Sequence, residues 1–217
     1  MGPSGSGKST LLHILGTLDQ PTSGTVALAG TDPFRLPEHR LADFRNRHVG
    51  FVFQDSIIFN LTVRENIAFS TSAGQQDLTR AIATAELDDF IAGLPQGLET
   101  VVSERGTSLS GGQKQRVMLA RALALNPRVL LLDDFTARVD TTTEQAILGN
   151  VHRDYPGITL ISVTQKIASV VDYDQIILLM EGEILAIGTH KELMETSPEY
   201  VQLYDSQRST SHYEVHA

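Results

Sequence analysis

Cysteine is absent from the 217 residues, which excludes a disulfide framework, a thiol nucleophile and any zinc site built on thiolates. Positive charge is scarce: 17 Lys and Arg stand against 26 Asp and Glu, giving a net charge of −9. A general nucleic-acid binder carries a basic surface excess, and the sign here is the opposite. No apolar run approaches the roughly 18–20 residues that a membrane-spanning helix needs. The first residues lack the basic-then-apolar layout of a signal peptide. What remains is ordinary globular composition, with 41% hydrophobic, 20% charged and 6% aromatic residues. A chain of this length buries about 70% of its unfolded surface. Composition therefore predicts a soluble, cytosolic protein with one sizeable core.

Short β-branched runs alternate with helical stretches, the pattern of an α/β protein with a mostly parallel sheet. Strands are expected over Gly24–Gly30, His48–Gln54, Arg128–Asp133, Ile158–Val163 and Gln175–Met180. The continuous apolar runs of the last three predict burial on both faces. Glu183–Gly188 is expected to be the second arm of a hairpin, with Glu181-Gly182 as its turn. Between about Asp55 and Leu125 the alternation gives way to apolar spacings of three to four residues, over Thr62–Ser70, Gln76–Leu87 and Ser110–Leu125. This predicts a helical subdomain over 55–125 inserted into an α/β core made of 1–54 and 126–207. The polar, aperiodic end of the chain, from about Asp205 and over 208–217, is expected to be disordered.

Three motifs carry chemistry. Gly2-Pro3-Ser4-Gly5-Ser6-Gly7-Lys8-Ser9-Thr10 leads directly into an apolar helix. Its glycines let successive backbone N–H groups turn inward as a nest for phosphate oxygens. Lys8 supplies a point charge for the β- and γ-phosphates, and Ser9 offers a hydroxyl to Mg²⁺. The bland alternative is a flexible Gly/Ser terminus with an incidental lysine, and the helix that follows at the required point speaks against it. Next, the apolar strand Val129-Leu130-Leu131-Leu132 ends in Asp133-Asp134. A strand ending in a carboxylate delivers it to the sheet edge where α/β proteins bind ligands, and places Asp133 to hold a nucleotide's Mg²⁺. Any buried strand can end in Asp, so this motif gains its weight from the phosphate loop. Third, Leu109-Ser110-Gly111-Gly112-Gln113 opens a helix. Ser110 is a good N-cap, and the two glycines leave the first turn's N–H groups uncovered, ready for a second phosphate.

In this order, the phosphate loop, Gln54 after a strand, the LSGGQ string and the Asp133 strand resemble the nucleotide-binding domain of ABC transporters. The resemblance covers about Gly2–Gln207. It implies a P-loop NTPase (RecA-like) α/β core with a mostly parallel sheet plus an inserted α-helical signature subdomain. It also implies ATP and Mg²⁺ as ligands, and a head-to-tail dimer in which each ATP lies between one subunit's phosphate loop and the other's LSGGQ. By the same resemblance Ser9, Gln54 and Asp133 meet Mg²⁺, and Gln54 also meets the attacking water. The segment Thr100–Gly106 resembles the exporter-type stretch that touches the membrane domain, with Ser103 where glycine is usual. With Phe53-Gln54-Asp55 and Val63–Ile67 it favours an exporter. Ala137-Arg138-Val139-Asp140 resembles the loop that crosses the dimer interface, with Arg138 atypical.

Two departures fall on the hydrolytic step. Asp134 stands where the family has Glu, which shortens the reach of the carboxylate by about 1.5 Å. Gln165 stands at the switch position where histidine is usual, and a neutral amide cannot bring the imidazole's positive charge to the γ-phosphate. The binding residues Lys8, Ser9, Asp133, Ser110, Gly111, Gly112 and Gln113 are unchanged. The expectation is a degenerate site that binds MgATP and hydrolyses it slowly, in a heterodimer whose partner carries the full catalytic set. Nothing but Met1 precedes the phosphate loop, so the expectation is also a truncated half-exporter whose membrane domain lies upstream. Ile161 and Leu131 should then lose packing partners. The location implied is the cytoplasmic face of a membrane. Alternatives are a regulatory ATP-binding module with negligible turnover, and a soluble ABC ATPase acting on DNA or ribosomes. The acidic charge, the lack of coiled-coil heptads and the Thr100–Gly106 segment count against the latter, and no nucleic-acid partner is expected. The histidines (His13, His39, His48, His152, His190, His212, His216) form no ligand-spaced cluster.

Overall fold

The computed structural model describes residues 1–2, 5–55, 57–69, 73–102 and 109–214, without the side chains of 136 and 209–214. In chain order the elements are α1 Lys8–Leu15, α2 Glu38–His48, β1 Val49–Val52, α3 Val63–Ile67, α4 Gln75–Thr84, α5 Asp88–Ala92 and α6 Gly111–Leu123. They continue with β2 Val129–Asp133, α7 Thr141–Asp154, β3 Thr159–Val163, β4 Ile176–Met180, β5 Glu183–Gly188, α8 His190–Thr196 and α9 Pro198–Glu214. The chain divides into two compact units, one of Met1–Leu11 with Val163–Ala217 and one of Leu12–Ser162. Each has its own apolar cluster, so the expected single core is in fact two.

The larger unit holds the sheet β1-β2-β3, in which β1 and β2 run parallel with Val49 opposite Val129 and Val52 opposite Leu132. β2 is buried at every residue, as its unbroken apolar run requires. β3 is not: Thr159 is exposed and the remaining residues are half-buried. Leu131, expected to lack packing partners, is fully buried, whereas Ile161 is half-buried. Helix α6 packs its apolar residues from Val117 to Leu123 into the same cluster as Leu130, Leu132 and Phe135. The close approach of Gly16 to the Phe51 ring shows how tight this unit is. A Cβ on Gly16 would lie 2.8 Å from that ring, so Gly16→Ala is expected to cost about 1–3 kcal/mol in urea denaturation through overpacking.

Tyr155, 4% exposed, lies under the Arg80 guanidinium at 4.6 Å, and its hydroxyl has no hydrogen-bond partner among the described residues. Burial pushes its phenol up to about 12 from 10. The folded state therefore holds the proton that the unfolded chain releases, and stability falls as pH rises from about 10 toward 12. Tyr155→Phe should be close to neutral at pH 7, because the hydroxyl makes only a weak contact with the Arg80 guanidinium. It should also lose part of the alkaline destabilisation, the rest remaining with Tyr200, which burial likewise pushes up to about 12, as followed by melting temperature against pH.

The smaller unit is built on the β4–β5 antiparallel hairpin, whose Glu181-Gly182 turn has φ of 49° and 83° as a two-residue turn requires. Ile167, Val170, Leu178, Leu193 and Tyr200 form its buried cluster. Two sequence expectations fail. Gly24–Gly30 is no strand: Leu28 and Thr31 exchange backbone hydrogen bonds around Ala29 and Gly30, both at positive φ, so the run folds onto itself with no strand to pair with. The end of the chain is helical to Glu214 instead of disordered from Asp205. Tyr204 packs on the cluster, and the Gln207 amide donates to the Gln165 carbonyl at 2.7 Å and accepts from the Ile167 N–H at 2.9 Å. No described helix is long and apolar enough to cross a membrane.

Candidate functional site

In the smaller unit Met1 donates to the Ile177 carbonyl and accepts from the Leu179 N–H, the bonding pattern of a parallel strand pair along β4. This delivers the chain to the phosphate loop. Gly2 has φ of 149°, and a Cβ there would sit 1.9 Å from the Leu179 carbonyl oxygen, so only glycine lets the loop leave β4 at this point. Gly5 and Gly7, at φ of 80° and 88°, supply the left-handed turns that aim N–H groups to one side. Ser6 is buried; its carbonyl accepts from the Gly182 N–H at 3.2 Å and its hydroxyl accepts from Lys8 Nζ at 3.1 Å. Ser9 and Thr10 lie exposed in the first turn of α1. Positive-φ glycines, a helix N-terminus and a lysine amine form a donor set without a carboxylate, which fits a polyphosphate. Pro3 and Ser4 lie outside the described residues. Gln165 follows β3 with an exposed side chain, its backbone held by Gln207 as above.

In the larger unit Asp133 ends β2 at 7% exposure. Asp134 then turns the chain with φ 47° and ψ 36°, a left-handed conformation that Asp tolerates better than longer side chains do. Its carboxylate accepts from Gln54 Nε2 at 3.5 Å, so the two residues singled out for the hydrolytic water are neighbours. The carbonyl of Gln54 in turn accepts from Gln115 Nε2, on α6, at 2.9 Å.

Helix α6 begins as its sequence requires. Gln113 N–H donates to Ser110 Oγ and the Gln113 side chain accepts from Ser110 N–H, a complete capping box. The glycines of the motif also have a packing role that the sequence did not reveal. A Cβ on Gly112 would come within 2.9 Å of the Arg138 carbonyl oxygen, and one on Gly111 within 3.3 Å of Arg138 Cδ. Asp140 caps α7 through the Thr143 N–H at 2.9 Å, and that bond holds its carboxyl below the usual carboxylate range. Thr100–Val102 pairs with Leu61–Val63, and residues 103–106 of that segment lie outside the described residues. A capping box of Thr62 and Glu65 starts α3. Around it Ile57, Phe69 and Val101 expose half or more of their surface.

Sequence reasoning missed Gln115, Arg121 and Gln207. Arg121 alone left a trace, as a cation interrupting the apolar run of α6.

The family model described as ABC transporter matches residues 1–137. The chain is 41% identical to the ABC transporter ATM1 of Toxoplasma gondii over 210 residues, covering 96% of this chain and 18% of that protein. It is 38% identical to the ATP-dependent lipid A-core flippase of Nitrosococcus oceani, over 99% of this chain and 36% of that one. A solved structure of a bacterial Atm1-family ABC exporter with ATP bound superposes with a TM-score of 0.87 at 38% identity, covering 95% of this chain and 36% of the other. The chain thus spans little more than a third of its relatives' length, or less. The neighbour's fold is the P-loop NTPase fold expected from the motifs. With the glycine cradle and the capped LSGGQ helix in place, the matched residues identify this chain as an ATPase domain belonging to the ABC transporter family.

Proposed function

We propose that this chain is the ATP-binding domain of an ABC exporter and that its own site is hydrolysis-impaired. In this reading the loop Gly2–Thr10 takes the phosphates of ATP, with Lys8 on the β- and γ-phosphates. Ser9, Asp133 and Gln54 hold Mg²⁺, which when bound neutralises the charge on the phosphates. Asp134 and Gln165 occupy the positions that act on the attacking water and the γ-phosphate. Ser110, Gly111, Gly112 and Gln113 serve the ATP of a second domain, a heterodimer partner with a full catalytic set. The membrane domain joins the same transporter at the cytoplasmic face, and the exposed Ile57, Phe69 and Val101 suit contact with it.

The observation that carries this reading is Asp134. A short carboxylate in a left-handed turn, leaning on the Gln54 amide at 3.5 Å, has little reach left for a water beyond that amide. Equilibrium binding of MgATP and steady-state turnover, each with and without a candidate partner domain, test it. Binding by the chain alone with turnover only in the mixture is the expected result. Equal turnover by the chain alone would end the degenerate-site reading.

A further inference from the structure

Helix α6 carries the LSGGQ motif at its first turn, and two side chains farther along it reach across to the segment that bears Gln54. Gln115 is 1% exposed. Its Nε2 donates to the Gln54 carbonyl at 2.9 Å, while its Oε1 is buried without a partner among the described residues. A carbonyl acceptor fixes which end of the amide faces Gln54, since only nitrogen can donate. A buried glutamine with one unmet oxygen is costly, by about 1–3 kcal/mol, and methionine would fill the same space without that cost. Stability alone therefore gives little reason for glutamine here.

Arg121 lies six residues on. Its Nε donates to the Asn66 carbonyl at 2.6 Å, Nη1 to the Ile57 carbonyl at 3.1 Å and Nη2 to Asn66 Oδ1 at 3.2 Å. Its guanidinium also lies 5.4 Å from the Phe59 ring and 5.9 Å from the Phe69 ring, which stack on each other at 4.2 Å. Burial lowers its pKa to about 10, so it stays charged at neutral pH. The charge is met by carbonyl oxygens and aromatic faces. Asn66, fully buried, extends the grip by donating to the Phe59, Leu61 and Thr62 carbonyls. From Gln54 the amide continues to Asp134 at 3.5 Å.

We infer that Gln115 and Arg121 are positioning residues that fasten the backbone of Gln54 and Ile57 to α6, so that the LSGGQ helix sets the placement of the Gln54 side chain. In the dimer of the proposed function, on which this inference rests, the LSGGQ of this chain faces the partner's ATP while Gln54 and Asp134 face its own. The path Ser110–Gln113, Gln115, Gln54, Asp134 would then let occupancy of the partner's site be felt at this one, through one helix and two side-chain amides.

Gln115→Met and Arg121→Lys in the full chain test it. Lysine keeps a cation but cannot serve Asn66 and Ile57 together in the guanidinium's geometry. Amide hydrogen exchange at Gln54 and Ile57–Leu61 should quicken at least tenfold in both variants, with the amides of Val117–Leu123 unchanged. Affinity for ATP should fall several-fold when Mg²⁺ is present and stay at the parent value in EDTA, because only the Mg²⁺-dependent part passes through Gln54. A merely structural role would lower both affinities together or loosen α6 as a whole, and either result overturns the inference. Unchanged exchange at Gln54 and Ile57–Leu61 overturns it as well. A parent chain that binds no MgATP at all would instead end the proposed function, and exchange in the ligand-free chain would still decide whether the two clamps hold.

Discussion

Asp134→Glu together with Gln165→His is expected to raise ATP turnover at this site by about 10- to 100-fold in the assembled transporter. The added methylene returns about 1.5 Å of reach to the carboxylate, and misplacement of about 1 Å costs on the order of 10²-fold in a reaction that depends on positioning. The histidine restores a group able to carry positive charge beside the γ-phosphate. Each single change should give less than the pair, because both act on one step and such effects are not additive. The gain has a structural cost. Asp134 has φ of 47°, a conformation less comfortable for glutamate, so the variant should melt slightly lower than the parent even as it turns over faster. Phosphate release by partner-containing transporter, with MgATP affinity measured alongside, checks this. Unchanged turnover at unchanged affinity would mean that these two positions are not what limits the site.

Lys8→Ala should weaken MgATP binding by on the order of 10²-fold, the loss of one or two charge-assisted hydrogen bonds to phosphate. The fold should tolerate the change. Lys8 Nζ donates to Ser6 Oγ, two residues back along the loop, at 3.1 Å, while the path of the loop is held by the Gly182 N–H on the Ser6 carbonyl and by Met1 along β4. Calorimetric titration with MgATP reads the affinity, and the melting temperature without nucleotide should remain near the parent's. A large fall in melting temperature would show that the lysine has a structural duty in the loop. Gly2→Ala is the useful contrast: its Cβ would meet the Leu179 carbonyl oxygen at 1.9 Å, so the path of the loop itself must break and binding and stability should fall together.

The sequence was informative where chemistry is carried by adjacent residues. The phosphate loop, the LSGGQ capping box, the Asp133 strand and the β4–β5 turn each fit within ten residues, and local hydrogen bonding and φ preferences dictate their form. It misled where form depends on a distant partner. Gly24–Gly30 has a strand's composition, but a strand needs a neighbour to pair with, and Leu28 found Thr31 instead. The end of the chain has no apolar period, yet Gln207 and Tyr204 anchor the helix that continues through it.

By itself, then, the sequence determined the ATP-directed chemistry: which residues offer N–H groups, an amine, a hydroxyl or a carboxylate, and in what order. Tertiary structure alone decided which of these lean on one another. The contact of the Asp134 carboxylate with Gln54 and the hold of Gln115 and Arg121 on that segment join residues 61 to 80 positions apart. No local preference encodes such distances. They follow from α6 packing on β1, where most buried polar groups find a partner in whatever chain segment the core brings beside them.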